Sequence, residues 1–150
     1  MSAFWKIMGN LNRKMMLRVY GPKFPAARFV LLLTTTGRKS GLPRVTPLQY
    51  EEIDGLLFVA SARGKQADWI MNLKANPRVS VQVRERRFSA RAELICDPQR
   101  VADFLQLRYQ KHPWMIGLLL RLEGLPLKIK RSDLERLAES KALVALHPIT

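Results

Sequence analysis

The densest group of chemically active side chains lies in the turn at residues 37–43, directly after three consecutive threonines. Arg38 can direct two N–H donors at phosphate oxygens, Lys39 adds a point charge, and Ser40 adds a hydroxyl donor. Glycines at positions 37 and 41 let backbone N–H groups approach an anion closely. Arg44 follows within reach of the same place. The turn is therefore predicted to hold a phosphate, the alternative being a solvated turn without a ligand.

A second polar cluster follows a predicted strand and precedes a helix that Asp68 is expected to cap. Its candidate binding residues are Ala60, Ser61, Arg63 and Lys65. Free N–H groups and the helix dipole attract anions to such a position. Trp69 opens the helix, where its indole would either cover a ring system or pack in the core. Both loops are predicted to converge on one ligand.

Hydrophobic patterning places these clusters on an α+β chain, a small barrel of five or six strands with helices around it. Strands are predicted at 28–36, 44–52, 56–62, 79–83, 88–96 and 143–146, and helices at 3–20, 68–75, 97–111 and 132–141. The segment 112–131 is the hardest to assign, although its apolar part at 114–122 could extend the preceding helix after a break at Pro113. Trp114 and Met115 would either line an apolar pocket or a subunit contact or pack in the core, and core packing is the expectation.

The length of 150 residues predicts one domain over 1–150. It comprises an N-terminal amphipathic helix in 1–22, a barrel core over 28–96 and a C-terminal part over 97–150 made of helices and a closing strand. The net charge of +14 favours an anionic partner, either nucleic acid, an acidic lipid surface or a phosphorylated small molecule. The best basic cluster is one compact turn without interleaved aromatic residues, so nucleic acid is not expected.

One cysteine, Cys96, excludes an internal disulfide and favours a reducing compartment, so a cytoplasmic location is expected. With two histidines and no cysteine pair, no metal site is predicted. His147 is a weak candidate for a haem ligand and is expected to be inert. The basic, apolar helix at 3–20 either packs on its own barrel or lies on the inner face of a membrane.

Three stretches, residues 34–48, 58–61 and 68–77, closely resemble the deazaflavin-dependent nitroreductase and quinone-reductase family. They begin Thr-Thr-Thr-Gly-Arg-Lys-Ser-Gly, Phe-Val-Ala-Ser and Asp-Trp-Ile-Met-Asn and occur in the family's order. The resemblance implies a split β-barrel of about six antiparallel strands with peripheral helices, and binding of coenzyme F420. It also implies that Arg38, Lys39 and Ser40 hold the cofactor phosphate. Thr46 and Pro47 would line the deazaflavin ring, and Ala60, Ser61 and Trp69 would complete the pocket.

The function expected from this resemblance is hydride transfer from the reduced deazaflavin to a hydrophobic acceptor such as a quinone or a nitro compound. No catalytic residue is assigned. Nitro-reducing members often carry Lys after the Ala-Ser pair, where this chain has Ala62, with Arg63 and Lys65 as nearby substitutes. The alternative is a protein that binds FMN, haem or lipid without turnover. FMN ranks second and haem last among the cofactors, and a homodimer stays open.

Overall fold

The computed structural model describes residues 30–61 and 64–149. The predicted helix at 3–20, its membrane contact and Arg63 lie outside these residues. The strands are β1 (Val30–Thr36), β2 (Pro43–Ile53), β3 (Leu56–Ser61), β4 (Arg78–Val83), β5 (Arg86–Ile95) and β6 (Ala142–Pro148). The helices are α1 (Asp68–Ala75), α2 (Pro98–Lys111), α3 (Pro113–Leu122) and α4 (Arg131–Ala138), with a 3-10 turn at Gly64–Gln66.

The six described strands form a closed antiparallel barrel in the order β1-β2-β3-β6-β5-β4, and β4 pairs back onto β1. The expectation of about six antiparallel strands with peripheral helices is confirmed. The C-terminal strand β6 lies between β3 and β5, so the end of the chain completes the barrel wall. Closure leaves no unpaired strand edge along this wall.

Two apolar clusters hold the molecule together, one on each side of the barrel wall. Strand residues such as Leu31, Val59 and Val81 fill the interior, where Trp69 and Ile70 of α1 join them. The alternate residues of β2, β3 and β6 point outward and pack against α2, α3 and α4. Because successive strand residues point to opposite faces, β2 can contribute to both clusters.

Helix α1 lies against the turn between β1 and β2 and brings two polar side chains to it. Asp68 is the first residue of the helix rather than its cap; Ala67 occupies the cap position and makes no side-chain capping hydrogen bond. The predicted capping role of Asp68 is therefore wrong, because its carboxylate turns toward Arg38 instead. Asp68 and Asn72 are four residues apart and so lie on one face of the helix.

Gly64 is the position where the backbone leaves least room. Its φ is +68°, and a Cβ atom there would collide with the carbonyl oxygen of Ser140. We expect Gly64→Ala to lower the free energy of unfolding by at least about 2 kcal/mol, because it combines backbone strain with a backbone clash. Gly55→Ala is the control for strain alone, since Gly55 has a φ of +79° and no atom within 4 Å of an added Cβ.

Urea unfolding of both variants separates the two costs. Equal losses for Gly64→Ala and Gly55→Ala would show that the approach of Ser140 is not limiting.

Candidate functional site

A polar cavity of about 460 Å³ lies between the β1–β2 turn and α1. It is lined by Gly37, Arg38, Lys39, Ser40, Arg44, Val45, Thr46, Asp68, Trp69 and Asn72. Three of these residues are cationic and one is anionic. The turn that the sequence singled out therefore borders a cavity, and its cations are gathered around that space.

The turn is closed by its own backbone. The N–H of Gly37 donates to the carbonyl oxygen of Leu42 at 2.8 Å, and the N–H of Gly41 donates to the carbonyl oxygen of Gly37 at 2.8 Å. Gly41 has a φ of +70°, which suits glycine. A Cβ atom on Gly37 would lie 2.6 Å from Ser40 Oγ and 3.1 Å from the oxygen of Leu42. The tight turn thus fixes the backbone positions from which the side chains of Arg38, Lys39 and Ser40 extend.

Arg38 is held in place by α1. Its Nη1 donates to Asn72 Oδ1 at 2.8 Å, and its Nη2 lies 3.2 Å from Asp68 Oδ1. The backbone N–H of Arg38 also donates to Asn72 Oδ1 at 3.2 Å, while Asn72 Nδ2 donates to Thr35 Oγ1 at 3.3 Å. The buried amide of Asn72 therefore ties the turn and β1 to one helix. With 29% of its side chain exposed, Arg38 is fixed at the cavity rather than directed into bulk solvent.

Arg38 is partly neutralised by Asp68, so the uncompensated positive charge at the polar cavity comes from Lys39 and Arg44. Neither forms an ion pair with a described residue, and both line the polar cavity. Ser40 Oγ accepts a hydrogen bond from the N–H of Leu42 at 3.2 Å, which leaves its hydroxyl proton available to a ligand. The cavity thus combines positive charge with hydroxyl donors, the set expected for a phosphate.

A second, apolar cavity of about 410 Å³ opens between the outer face of the barrel and helices α2, α3 and α4. Its walls are mainly leucine and isoleucine side chains, with a few polar groups. The lining residues are Pro47, Leu48, Gln49, Ala60, Ser61, Leu105, Arg108, Ile116, Leu119, Leu120, Leu122, Glu123, Leu137 and Lys141. An apolar pocket with few convergent polar groups is typical of a small-molecule site.

Strand β2 runs from one cavity to the other. Residues 44–46 line the polar cavity, and residues 47–49 line the apolar cavity. Three residues of strand span about 10 Å. A ligand with a phosphate at one end and a ring at the other would therefore lie along β2.

Ser61 carries a buried polar atom without a partner among the described residues. Only 1% of the residue is exposed, and its Oγ accepts and donates no hydrogen bond there. A buried hydroxyl without a partner costs about 1–3 kcal/mol, so such atoms usually face a ligand or a water molecule. Ser61 lines the apolar cavity with its other atoms, whereas its Oγ is covered by the protein and does not open into that cavity.

Arg108 is a cation in the wall of this apolar cavity. Its Nη2 donates to Gln49 Oε1 at 2.8 Å, and its Nε lies 3.4 Å from Glu51 Oε1. Burial lowers the pKa of the Arg108 guanidinium, and Glu51 partly offsets that shift. Arginine nevertheless stays charged in proteins. The buried carboxylate of Glu51 also has Lys111 Nζ at 3.5 Å and His112 Nε2 at 3.0 Å, so it does not depend on Arg108 alone.

The remaining predicted residues occupy separate places. Lys65 is exposed in the 3-10 turn and lines neither cavity. Ala60 and Ser61 line the apolar cavity rather than the polar cavity at the β1–β2 turn, and Trp69 is buried between the barrel interior and the polar cavity. His147 Nε2 lies 2.8 Å from Glu93 Oε1, outside both cavities. This hydrogen bond is the main cause that lowers the pKa of Glu93.

Four candidate functional residues were not predicted from the sequence. Asn72 and Asp68 hold Arg38, while Arg108 and Lys141 place cations in the apolar cavity. Lys141 Nζ lies 2.9 Å from Glu123 Oε1. For Asp68 and Asn72 the spacing of four residues on a short helix was the available signal. No sequence motif near Arg108 or Lys141 indicated a role in the site. Both residues lie in the C-terminal part of the chain and reach β2 and β3 only through the folding of the barrel.

The chain is similar to proteins of one known family over most of its length. The family model for F420H(2)-dependent quinone reductases matches residues 9–114, which is more than half of the chain. This chain belongs to the F420H(2)-dependent quinone reductase family. An F420H(2)-dependent quinone reductase of Mycobacterium tuberculosis is 43% identical over 76 residues, covering 49% of this chain and 51% of that protein. The chain thus spans about half the length of the curated relatives it matches.

Solved structures show the same split-barrel fold at low identity. A conserved hypothetical protein of Mycobacterium tuberculosis is similar with a TM-score of 0.60 and 16% identity, covering 83% of this chain and 78% of that one. The haem storage protein of Vibrio cholerae is similar with a TM-score of 0.55 and 20% identity, covering 82% and 83%. At such identities the likeness shows the fold alone. The family match and the side chains of the site therefore carry the functional argument.

Proposed function

We propose that this chain is an F420H2-dependent oxidoreductase that reduces a quinone. The observation that carries the proposal is the pairing of the two cavities along β2, one cationic and one apolar. F420 joins an anionic tail to a planar ring, so each part meets a cavity of matching chemistry.

The cofactor phosphate would be held by Arg38, Lys39, Ser40 and Arg44. Arg38 is oriented before any ligand arrives, because Asp68 and Asn72 fix its guanidinium. Pro47, Ala60 and Ser61 would line the ring in the apolar cavity, whereas Thr46 and Trp69, which the sequence also assigned to the ring pocket, would lie on the phosphate side. Arg63 and Lys65 stay as proposed contacts for the anionic tail. Preorganised donors bind more tightly because their ordering cost is already met by folding.

Bound in its reduced form, F420 supplies the hydride. A quinone that takes up a hydride gains negative charge on its oxygen until a proton arrives from solvent. Arg108 is the cation of the apolar cavity best placed to stabilise that charge, because Gln49 and Glu51 fix its position. Displacement of water from the leucine-lined cavity by the bound cofactor and quinone would strengthen this electrostatic effect.

We place this activity in the cytoplasm, on the evidence of the single cysteine. No helix among residues 30–61 and 64–149 is long and apolar enough to cross a membrane.

The direct test of function is single-turnover oxidation of F420H2 by menadione. The reaction is monitored through the return of the absorbance of oxidised F420. We expect protein-dependent oxidation and saturable F420 binding. Tight binding without turnover across several quinones would instead favour the cofactor-carrier alternative. Preferential binding of FMN or haem over F420 would contradict the proposal.

A further inference from the structure

Helix α3 is apolar on both of its faces, although only one face is packed. Ile116, Gly117 and Leu120 are buried against the second apolar cluster. On the other face, Trp114 is 91% exposed, Leu118 is 58% exposed and Leu122 is 76% exposed. Their spacing of four residues aligns the three side chains along the helix. A helix that is apolar all round normally has a partner on every side.

The exposed residues form what we call the apolar ridge, defined as Trp114, Leu118, Leu122 and Leu127. Leu127 follows the helix and is 74% exposed. The core position predicted for Trp114 is therefore wrong: its side chain lies on the opposite face from Ile116 and Leu120. Exposed apolar surface of this kind commonly marks an interaction site.

Positive charge surrounds the apolar ridge. Residues 113–131 contain four cationic residues and one acidic residue, Glu123. Arg121, Lys128 and Lys130 are exposed and form no ion pair with a described residue. Glu123 is neutralised by Lys141 at 2.9 Å. The ridge is thus an apolar strip beside uncompensated cations.

We propose that the apolar ridge docks on an anionic lipid surface. Trp114 would lie at the level of the headgroups, the leucines would enter the boundary of the acyl chains, and the cations would contact lipid phosphates. A second copy of the chain fits less well, because two ridges with the same cations would face each other in proteins that each carry a net charge of +14.

The apolar cavity opens beside this surface. Leu119 and Leu122 line the cavity and are both exposed, at 39% and 76%. Docking would therefore bring the cavity to the bilayer, from which a lipid-soluble acceptor could enter. This last step rests on the proposed function, whereas lipid binding by the ridge does not.

The test is flotation of cofactor-free protein with vesicles of equimolar phosphatidylglycerol and phosphatidylcholine, compared with phosphatidylcholine alone. We expect the anionic vesicles to bind the protein and binding to weaken as salt is raised. Trp114→Ser with Leu118→Ser should lower the partition coefficient at least tenfold. Leu42→Ser with Ile149→Ser removes two other exposed apolar side chains and should leave it within twofold.

A second variant covers the case in which the first fails to fold. Arg121→Glu with Lys128→Glu changes only exposed side chains and should also reduce binding to anionic vesicles at least tenfold. Unchanged flotation of the folded ridge variants would overturn the proposal. Loss of binding only in Phe4→Ser with Ile7→Ser would also overturn it, because it would assign the contact to the segment 3–20, for which the sequence predicts a helix. A wild-type dimer that the ridge substitutions convert to monomer would instead identify a second copy as the occupant.

Discussion

Replacing Arg38 and Lys39 together by alanine is expected to weaken F420 binding at least tenfold. Each residue would donate a charge-assisted hydrogen bond to the cofactor phosphate, worth about 1.5–3 kcal/mol where water is excluded. Because both side chains are partly or wholly exposed, solvent screening reduces these values. Isothermal titration of the double variant with F420 measures the loss directly.

The control for this loss is Arg86→Ala with Arg87→Ala. These two exposed arginines at the start of β5 carry the same total charge but line neither cavity. Their removal should change F420 affinity by less than twofold, which separates a specific contact from the effect of net charge. Because Arg38 also ties the turn to Asn72, Lys39→Ala with Arg44→Ala provides a second variant that leaves this anchor intact. Wild-type F420 affinity in both the Arg38/Lys39 and the Lys39/Arg44 variants would remove the phosphate assignment.

Substitution of Arg108 by methionine is expected to lower kcat/KM for a quinone by about a hundredfold. A donor that stabilises charge developing in the transition state is typically worth 10²–10³ in rate. Affinity for F420 should fall much less than kcat/KM, because the proposed phosphate contacts at the β1–β2 turn remain, although Arg108 lines the cavity proposed for the ring. Stopped-flow measurement of F420H2 oxidation with varied menadione separates the two quantities.

Stability must be followed in the same variants. Breaking a buried ion pair commonly costs about 3–5 kcal/mol, but Lys111 and His112 remain beside Glu51 and limit the loss. Arg108→Lys keeps the charge and should restore part of the rate. Arg100→Met, an exposed position earlier on α2, serves as the matched control. A rate for folded Arg108→Met equal to the wild-type rate would exclude an electrostatic role.

Much of the barrel was predictable because its signals are local. The short apolar run of β1, the Asp54-Gly55 turn before β3 and the alternating valines of β4 each specify a strand without help from distant residues. The cationic β1–β2 turn could be predicted for the same reason, since its cations and glycines are adjacent in the chain. These features required only periodicity and turn chemistry.

Features that depend on distant contacts were not predictable. Arg108 and Gln49 are 59 residues apart, and only the packing of α2 on the barrel joins them. Asn72 reaches Arg38 across 34 residues, so an ordinary helical asparagine becomes the anchor of the turn. The prediction for Trp114 was wrong because apolar character alone predicts burial. Helix α3 has two apolar faces, but only the face with Ile116 and Leu120 packs against the rest of the protein.

The central claim is that one ligand lies along β2, with its phosphate at the β1–β2 turn and its ring in the apolar cavity. A crystal structure of the protein with F420 tests it most directly. We expect the phosphate within hydrogen-bond distance of Lys39 and Arg44, and the ring against Pro47 in the apolar cavity. A phosphate bound elsewhere, with the apolar cavity empty, would contradict the account.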